Sequence, residues 1–279
     1  MWQTSYDDSP SLYLVSTPIG NLDDITYRAI KILNTVEVIF SEDTRVTQNL
    51  LNHFEIKKKL IALHDHNEDI VKDRVLEYLK KNMSVALVTD RGTPIISDPG
   101  YKSVKYVSDA GYNVIAISGV CAFVPALIVS GIAPQPFTFY GFLNSKVSKK
   151  KKELESLKFV SNTIIFYEAP HRIMETMKLM LDIFGDREVS LSREISKKFE
   201  SVYRGSISDL LPTLIDIKGE FVIVVSGNDN IDDNSNLSVY DNVRLYIDNG
   251  MSSMDAIKMV SRERNIPKSE VYSIYHKRM

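Results

Sequence analysis

The sequence predicts a two-domain α/β protein, with a five-stranded parallel sheet first, a mixed sheet second and a small helical unit at the C-terminal end. Three observations predict it. Short β-branched runs alternate with amphipathic stretches through five repeats between Leu12 and Ile117, as βα units do. In a second series of strand candidates, Glu188–Ser192 and Glu200–Gly205 lie too close for a helical crossover and read as antiparallel neighbours. The polar run GNDNIDDNSNLS then sets off a last segment with helical patterning. The expected boundaries are 11–120 for the first domain, 121–227 for the second, 228–238 for a linker and 239–279 for the tail.

In order, the first sheet is expected from Leu12–Ser16, Val36–Phe40, Leu60–Leu63, Val85–Thr89 and Val114–Ile117, with helical stripes such as Ile70, Val71, Val75, Leu76 and Leu79 between them. The second is expected from Thr138–Gly141, Thr163–Tyr167, Glu188–Ser192, Glu200–Gly205 and Phe221–Ser226. Helices are expected near Lys150–Leu157, Ile173–Phe184 and Ile207–Ile217. In the tail, Val239–Asp248 is amphipathic, Asn249–Gly250 stops it, Ser252 with Asp255 forms a capping-box pattern and Pro267 opens a third helix.

From Tyr112 to Ser145 no residue is charged, yet Gly119, Pro125, Gly131, Pro134, Pro136 and Gly141 break the run, so buried strands and a short helix are expected rather than a membrane span. The 279 residues are 44% hydrophobic and 25% charged, a globular composition. A net charge of −2 excludes a global field that would draw the chain onto nucleic acid, so any basic surface must be local. The single cysteine, Cys121, excludes an intramolecular disulfide, and MWQTSYDDSP lacks a secretory pattern; a cytoplasmic protein is expected.

Each of the first five strand candidates runs into an unusual loop: Thr17-Pro18-Ile19-Gly20-Asn21, Ser41-Glu42-Asp43-Thr44-Arg45, His64-Asp65-His66-Asn67-Glu68, the eleven residues Asp90–Gly100, and Ser118-Gly119-Val120-Cys121-Ala122. A parallel sheet brings all five to its carboxyl edge, where open α/β sheets bind ligands. Two Gly, two Pro and two Asp in Asp90–Gly100 specify a backbone able to approach a ligand while offering amides and carboxylates. No GxGxxG follows a strand and no GxxxxGK[ST] or GxSxG exists, so dinucleotide, P-loop and serine-hydrolase readings lose support. His64, Asp65, His66 and Glu68 carry metal-ligand donors, but an H-x-H pair without a third spaced ligand favours a hydrogen-bonded loop or substrate contact. Glu42 and Asp43 are adjacent, and in extended chain at most one faces a ligand.

Basic residues gather at Lys146 and Lys149–Lys152, at Arg193, Lys197 and Lys198, and at Arg262, Arg264, Lys268, Lys277 and Arg278. Charge runs are usually solvated faces, though three separated clusters also suit RNA.

The same loops carry a family resemblance. LYLVSTPIGNLDDITYRA (Leu12–Ala29), EDTR (Glu42–Arg45), LHDHNE (Leu63–Glu68), GTPIISDPG (Gly92–Gly100), FYEAPHRI (Phe166–Ile173), SREISKKFE (Ser192–Glu200) and KGEFVIVV (Lys218–Val225) resemble the tetrapyrrole-methylase superfamily of S-adenosylmethionine (SAM) enzymes. The match is closest to its branch that methylates a ribose 2′-oxygen of a decoding-region cytidine in small-subunit ribosomal RNA. The resemblance covers Leu12 to Ser226, and the tail is similar to a helical unit often appended in that branch.

It implies a dimer with SAM in the cleft between the domains, and methyl transfer from a sulfonium requires no metal, so none is expected. Arg91, where the family usually has Ala, adds a cation at the cleft. Ser118-Gly119-Val120, in place of Pro-Gly-Pro, loosens a turn. Cofactor contacts are then expected from Pro18, Gly20, Asn21, Asp90, Gly92, Thr93, Pro94, Asp98, Pro99, Gly100, Ser118, Gly119, Cys121, Ala122, Tyr167 and Glu168. Methyl transfer needs an in-line approach, and a neutral hydroxyl needs a proton acceptor, for which Glu42, Asp43, His64, Asp65, His66 and Asp90 are the candidates. The tail is expected to engage the RNA while docked on the body or on a dimer partner through Val243, Tyr246, Ile247, Ile257, Val260 and Tyr272. A methylase of a tetrapyrrole or other small molecule on the same fold is the alternative, and a non-catalytic nucleic-acid-binding protein the third reading.

Overall fold

The computed structural model describes residues 3–5, 7–215, 217–228, 237–248, 250–264 and 266–277. Most of the expected linker 228–238, the helix-stopping Asn249 and the terminal Arg278 lie outside these. The β-branched runs of the first half form β1 (Ser11–Val15), β2 (Val38–Ser41), β3 (Lys59–Ala62), β4 (Val85–Val88) and β5 (Asn113–Ile117). All pair in parallel, in the order β3-β2-β4-β1-β5. Helices α1 (Tyr27–Thr35), α2 (Thr44–His53), α3 (Glu68–Lys80) and α4 (Tyr101–Asp109) make the crossovers.

Alternation decides the layers. Val38, Phe40, Val85 and Leu87 point to one face, where Val71, Val75 and Leu79 of α3 and Val107 of α4 cover them. Ile39, Ala86 and Val88 point to the other, under Ala29 and Leu33 of α1 and Leu51 of α2. Ile70, expected on the buried stripe of α3, is 73% exposed, because the buried face runs through Glu68, Val71, Val75, Leu76 and Leu79, a helical phase that leaves Ile70 outside.

The uncharged stretch 112–145 resolves into β5, a short helix α5 (Phe123–Val129) and β6 (Phe137–Phe142). No helix among the described residues is long and apolar enough to cross a membrane. With β7 (Thr163–Glu168), β8 (Glu188–Arg193), β9 (Ser201–Ser206) and β10 (Phe221–Val225), β6 builds a second five-stranded sheet in the order β6-β7-β10-β8-β9. The sheet is mixed as expected: β6 and β7 are parallel, while β10 runs antiparallel to both β7 and β8, and β8 to β9. Helices α6 (Val147–Leu157) and α7 (Ile173–Phe184) belong to its connections, and α7 buries Ile173, Met177 and Met180 against Phe166, Leu191 and Ile223. The helix expected over Ile207–Ile217 is instead the four-residue α8 (Ile207–Leu210) followed by a 3-10 turn, Leu211–Leu214. Pro212 explains it: a ring without an N–H cannot continue the α-helical ladder.

Both sheets lie in one compact unit, Met1–Gly227, and Asn228–Met279 forms a second. In the latter, α9 (Val239–Asp248), α10 (Ser253–Glu263) and α11 (Lys268–Lys277) pack on one another. Ser252 caps α10 by accepting from the Asp255 N–H at 3.2 Å, as its sequence pattern requires. Val243, Tyr246, Ala256, Ile257, Val260 and Val271 are buried, Ile247 is half-buried, but Tyr272, expected among the docking residues, is exposed.

Candidate active site

Hydrogen bonds tie the loops at the carboxyl edge of the first sheet into one wall. Thr17 and Gly92 exchange backbone hydrogen bonds of 2.8 and 3.0 Å, joining the loop after β1 to the loop after β4. The Thr93 hydroxyl donates to the Val120 carbonyl at 3.0 Å and lies 3.1 Å from Ser16 Oγ, which brings in the loop after β5. On the other side, the Thr89 hydroxyl donates to Glu42 Oε2 at 2.9 Å, and the Asp43 N–H donates to Asp90 Oδ1 at 2.9 Å. The β4 loop turns through positive φ: Gly92 and Gly100 hold +85° and +125° without steric cost, whereas Ile95 and Ser97, which carry side chains, are strained at +75° and +68°. A β-branched residue in that region persists only when its surroundings over-determine it.

Antiparallel β10 builds the opposite wall. Phe221, its first residue, pairs with Glu168 at the end of β7 and with Arg193 at the end of β8, so two strand ends and one strand start meet at one edge. The two walls enclose a cleft of about 690 Å³, within the size range of small-molecule sites. Of the residues expected from sequence, Glu42, Asp90, Gly92, Thr93, Asp98, Cys121, Ala122, Tyr167 and Glu168 line it. Pro18 and Gly20 line an adjoining depression, and Gly20 and Asn21 a third, more open one.

Asp43, His64, Asp65, His66, Pro94, Pro99, Gly100, Ser118 and Gly119 are outside the cleft lining. Asp43 caps α2 and pairs with Arg45 at 2.6 Å, which holds its carboxyl low, at about 2. In the His64–Glu68 loop, the Asn67 side chain accepts from the His64 N–H at 2.9 Å and donates to the Ala62 carbonyl at 3.1 Å. Glu68 is buried and accepts from the Ser103 N–H at 2.9 Å in the first turn of α4. No group of three or more potential metal ligands comes together among the described residues.

Sequence reasoning passed over much of the second wall, Phe142, Ala169–His171, Ser192, Glu194, Ile195 and Glu220–Val222, and marked Lys197 only as part of a basic cluster. Most lie in the FYEAPHRI, SREISKKFE and KGEFVIVV stretches, so the signal was present but its place in space depended on the direction of β10. Arg91 pairs with Glu220 at 3.0 Å, a contact between the two walls, and Lys197 reaches the same carboxylate at 2.7 Å and Glu194 at 2.8 Å.

Burial pushes the Asp98 carboxyl up to about 6; the nearby carboxylates of Glu42, Asp90 and Asp65 add to the effect and a hydrogen bond with Thr89 opposes it. Burial likewise raises the Tyr167 phenol, whose oxygen lies 3.8 Å from Cys121 Sγ. The cleft therefore combines apolar side chains with carboxylates, of which Glu194 and Glu220 are paired with Lys197 and Arg91.

Residues 11–211 match the family model for tetrapyrrole (corrin/porphyrin) methylases. The chain belongs to the tetrapyrrole methylase family. It is 47% identical over 277 residues to ribosomal RNA small subunit methyltransferase I of Bacillus subtilis, covering 96% of this chain and 95% of that one. It is 43% identical over 284 residues to the protein of the same name from Halalkalibacterium halodurans, covering 98% of each. Among tetrapyrrole methylases it thus groups with the ribosomal RNA small subunit methyltransferases I. The fold is also that of a Thermus thermophilus uroporphyrin-III-C-methyltransferase, with a TM-score of 0.56 at 19% identity over 77% of this chain and 94% of that one. A cobalt precorrin-4 methyltransferase of cobalamin biosynthesis superposes with a TM-score of 0.59 at 18% identity, over the same shares.

Proposed function

We propose that the cleft binds SAM and transfers its methyl group to a ribose 2′-oxygen of a cytidine in the decoding region of small-subunit ribosomal RNA. The observation that carries the proposal is the pairing of a carboxylate-rich, half-apolar cleft with relatives at 40–47% identity whose names specify small-subunit ribosomal RNA methylation. Asp98 and Asp90 face the sulfonium in this reading, and the Cys121–Ala122 turn and Tyr167 pack against the adenosine. SAM supplies an activated methyl group, and the step itself needs no metal.

The protein's part is positional: the two walls hold donor and acceptor in line and exclude water. Of the proton acceptors considered from sequence, Glu42 and Asp90 line the cleft, and each is already oriented by a hydrogen bond. The reading includes division of the body at Val120/Cys121 into two domains, a cytoplasmic homodimer, and RNA engagement by the tail. Tetrapyrrole methylation is the weaker alternative, because the likeness to tetrapyrrole enzymes at 16–19% identity concerns the fold alone.

Calorimetry with EDTA-treated protein tests the cofactor part. Saturable SAM binding is the expected result; no heat at millimolar SAM with folded protein overturns it.

A further inference from the structure

Pro18, Gly20 and Asn21 sit beside the cleft rather than in it, and what they line there is a continuation of it. The adjoining depression, about 260 Å³, shares Val46, Thr89, Asp90 and Arg91 with the cleft. One side is the Thr17–Leu22 loop. The other is a single stripe of α2, Val46, Asn49, Leu50 and His53, whose spacing of three and four places all four on one helix face. At its far end, Gly20, Leu22 and His53 pass into the open depression that Lys197 and Lys198 border, with Asp23 as its one acid. Gly20 permits this junction: a Cβ there would lie 2.3 Å from Lys197 Cγ.

The chemistry of the groove changes along its length. Pro18, Leu22, Val46 and Leu50 give apolar sides for a planar ring, with Asn49 and His53, both exposed, as hydrogen-bonding groups at the rim. Beyond them come lysines. Lys197 is shared between Glu194 and Glu220, whereas Lys198 is exposed and forms no ion pair among the described residues. An aliphatic slot with amide and imidazole edges, followed by cations, is an order of groups that suits a base and its phosphate.

We infer that this groove receives the nucleotide adjacent to the methylated one, with its base between the Thr17–Leu22 loop and α2 and its phosphate toward Lys198. The inference rests on the RNA reading above and goes beyond it by giving the sequence TPIGN a substrate role instead of a cofactor role. The groove adjoins the cleft along Val46, Thr89, Asp90 and Arg91, so a strand with one nucleotide in the cleft passes over these residues to place its neighbour in the groove.

The test compares the full-length protein with the double variant Asn49→Ala/His53→Ala and with Lys198→Glu, using small-subunit ribosomal RNA, free and assembled, as substrate. All three positions are exposed, so both variants are expected to fold. The double variant raises the KM for RNA about tenfold, the scale of lost base contacts, while SAM affinity stays within about twofold. Lys198→Glu lowers the slope of log affinity against log salt by about one. Methylation by the unaltered protein with RNA KM and salt slope unchanged in both variants overturns the groove assignment alone. Absence of methylation by the unaltered protein overturns the RNA reading and this inference with it.

Discussion

Gly92 carries two demands at once. Its φ of +85° lies where a side chain is strained, and its backbone exchanges two hydrogen bonds with Thr17; an added Cβ would lie 3.3 Å from Ile19 Cγ2. Gly92→Val therefore costs roughly 1–3 kcal/mol of stability and abolishes SAM binding by the folded fraction, measured by calorimetry beside thermal unfolding. Normal SAM affinity in that fraction would reduce Gly92 to a turn residue.

Asp98 titrates in an accessible range. Its folded value, about 6, lies above the ordinary carboxylate value, so its contribution to stability is fully present at low pH and is lost as pH rises through that interval. A bound sulfonium reverses the preference, because it favours the ionised carboxylate. SAM affinity is thus expected to rise between about pH 5 and 7, and Asp98→Asn to weaken binding and flatten the profile. An unchanged profile in the variant would remove Asp98 from the cofactor site. Both residues were legible in the sequence as members of one Gly-, Pro- and Asp-rich loop, but two of the carboxylates that add to the shift of Asp98, Glu42 and Asp65, come from other loops.

At the scale of elements, the strand candidates matched the structure to within a residue or two, since β-branched runs bounded by turn residues carry a local signal. Helix α6 shows where local reading stops. Its lysines read as a solvated face, yet Lys150 is 0% exposed and lies 2.8 Å from Glu175 Oε1, 2.9 Å from Thr176 Oγ1 and 4.0 Å from the buried Glu168 carboxylate. Lys150 precedes the buried Leu154 by four residues, so helical phase marked it, while composition concealed it.

Glu168 also accepts from the Ala169 N–H at 2.9 Å and lies 3.1 Å from Arg172 Nε, so the cluster fixes the segment Ala169–His171 that forms part of the second wall. Lys150→Met removes the hydrogen bonds of the buried ammonium to Glu175 and Thr176, while Glu168 keeps Arg172 and Thr176, and should cost about 1–3 kcal/mol in denaturant unfolding. The exposed Lys151→Met should cost under about 0.5 kcal/mol. Equal stability of the two variants would contradict a structural role for the cluster.

For the whole molecule, the parallel sheet was legible because each βα loop repeats one pattern, and with it the first wall of the cleft. The second wall was not, because Glu168, Arg193 and Phe221 meet only through antiparallel pairing between segments far apart in sequence. The tail was legible as helices from its caps and periodicity. In our reading it serves RNA: truncation after Asn236 should leave SAM affinity nearly unchanged, weaken binding to ribosomal RNA and reduce its salt dependence through lost phosphate contacts. Equal RNA affinity and activity in the truncated chain would leave the tail only a stability role.

Transfer of tritiated methyl from SAM to small-subunit ribosomal RNA, free and assembled, with the modified ribose mapped, tests the central claim most directly. The account predicts label on one ribose 2′-oxygen, that of a cytidine in the decoding region. Label on a base, label on a tetrapyrrole with none on RNA, or no transfer by protein that binds SAM would contradict it.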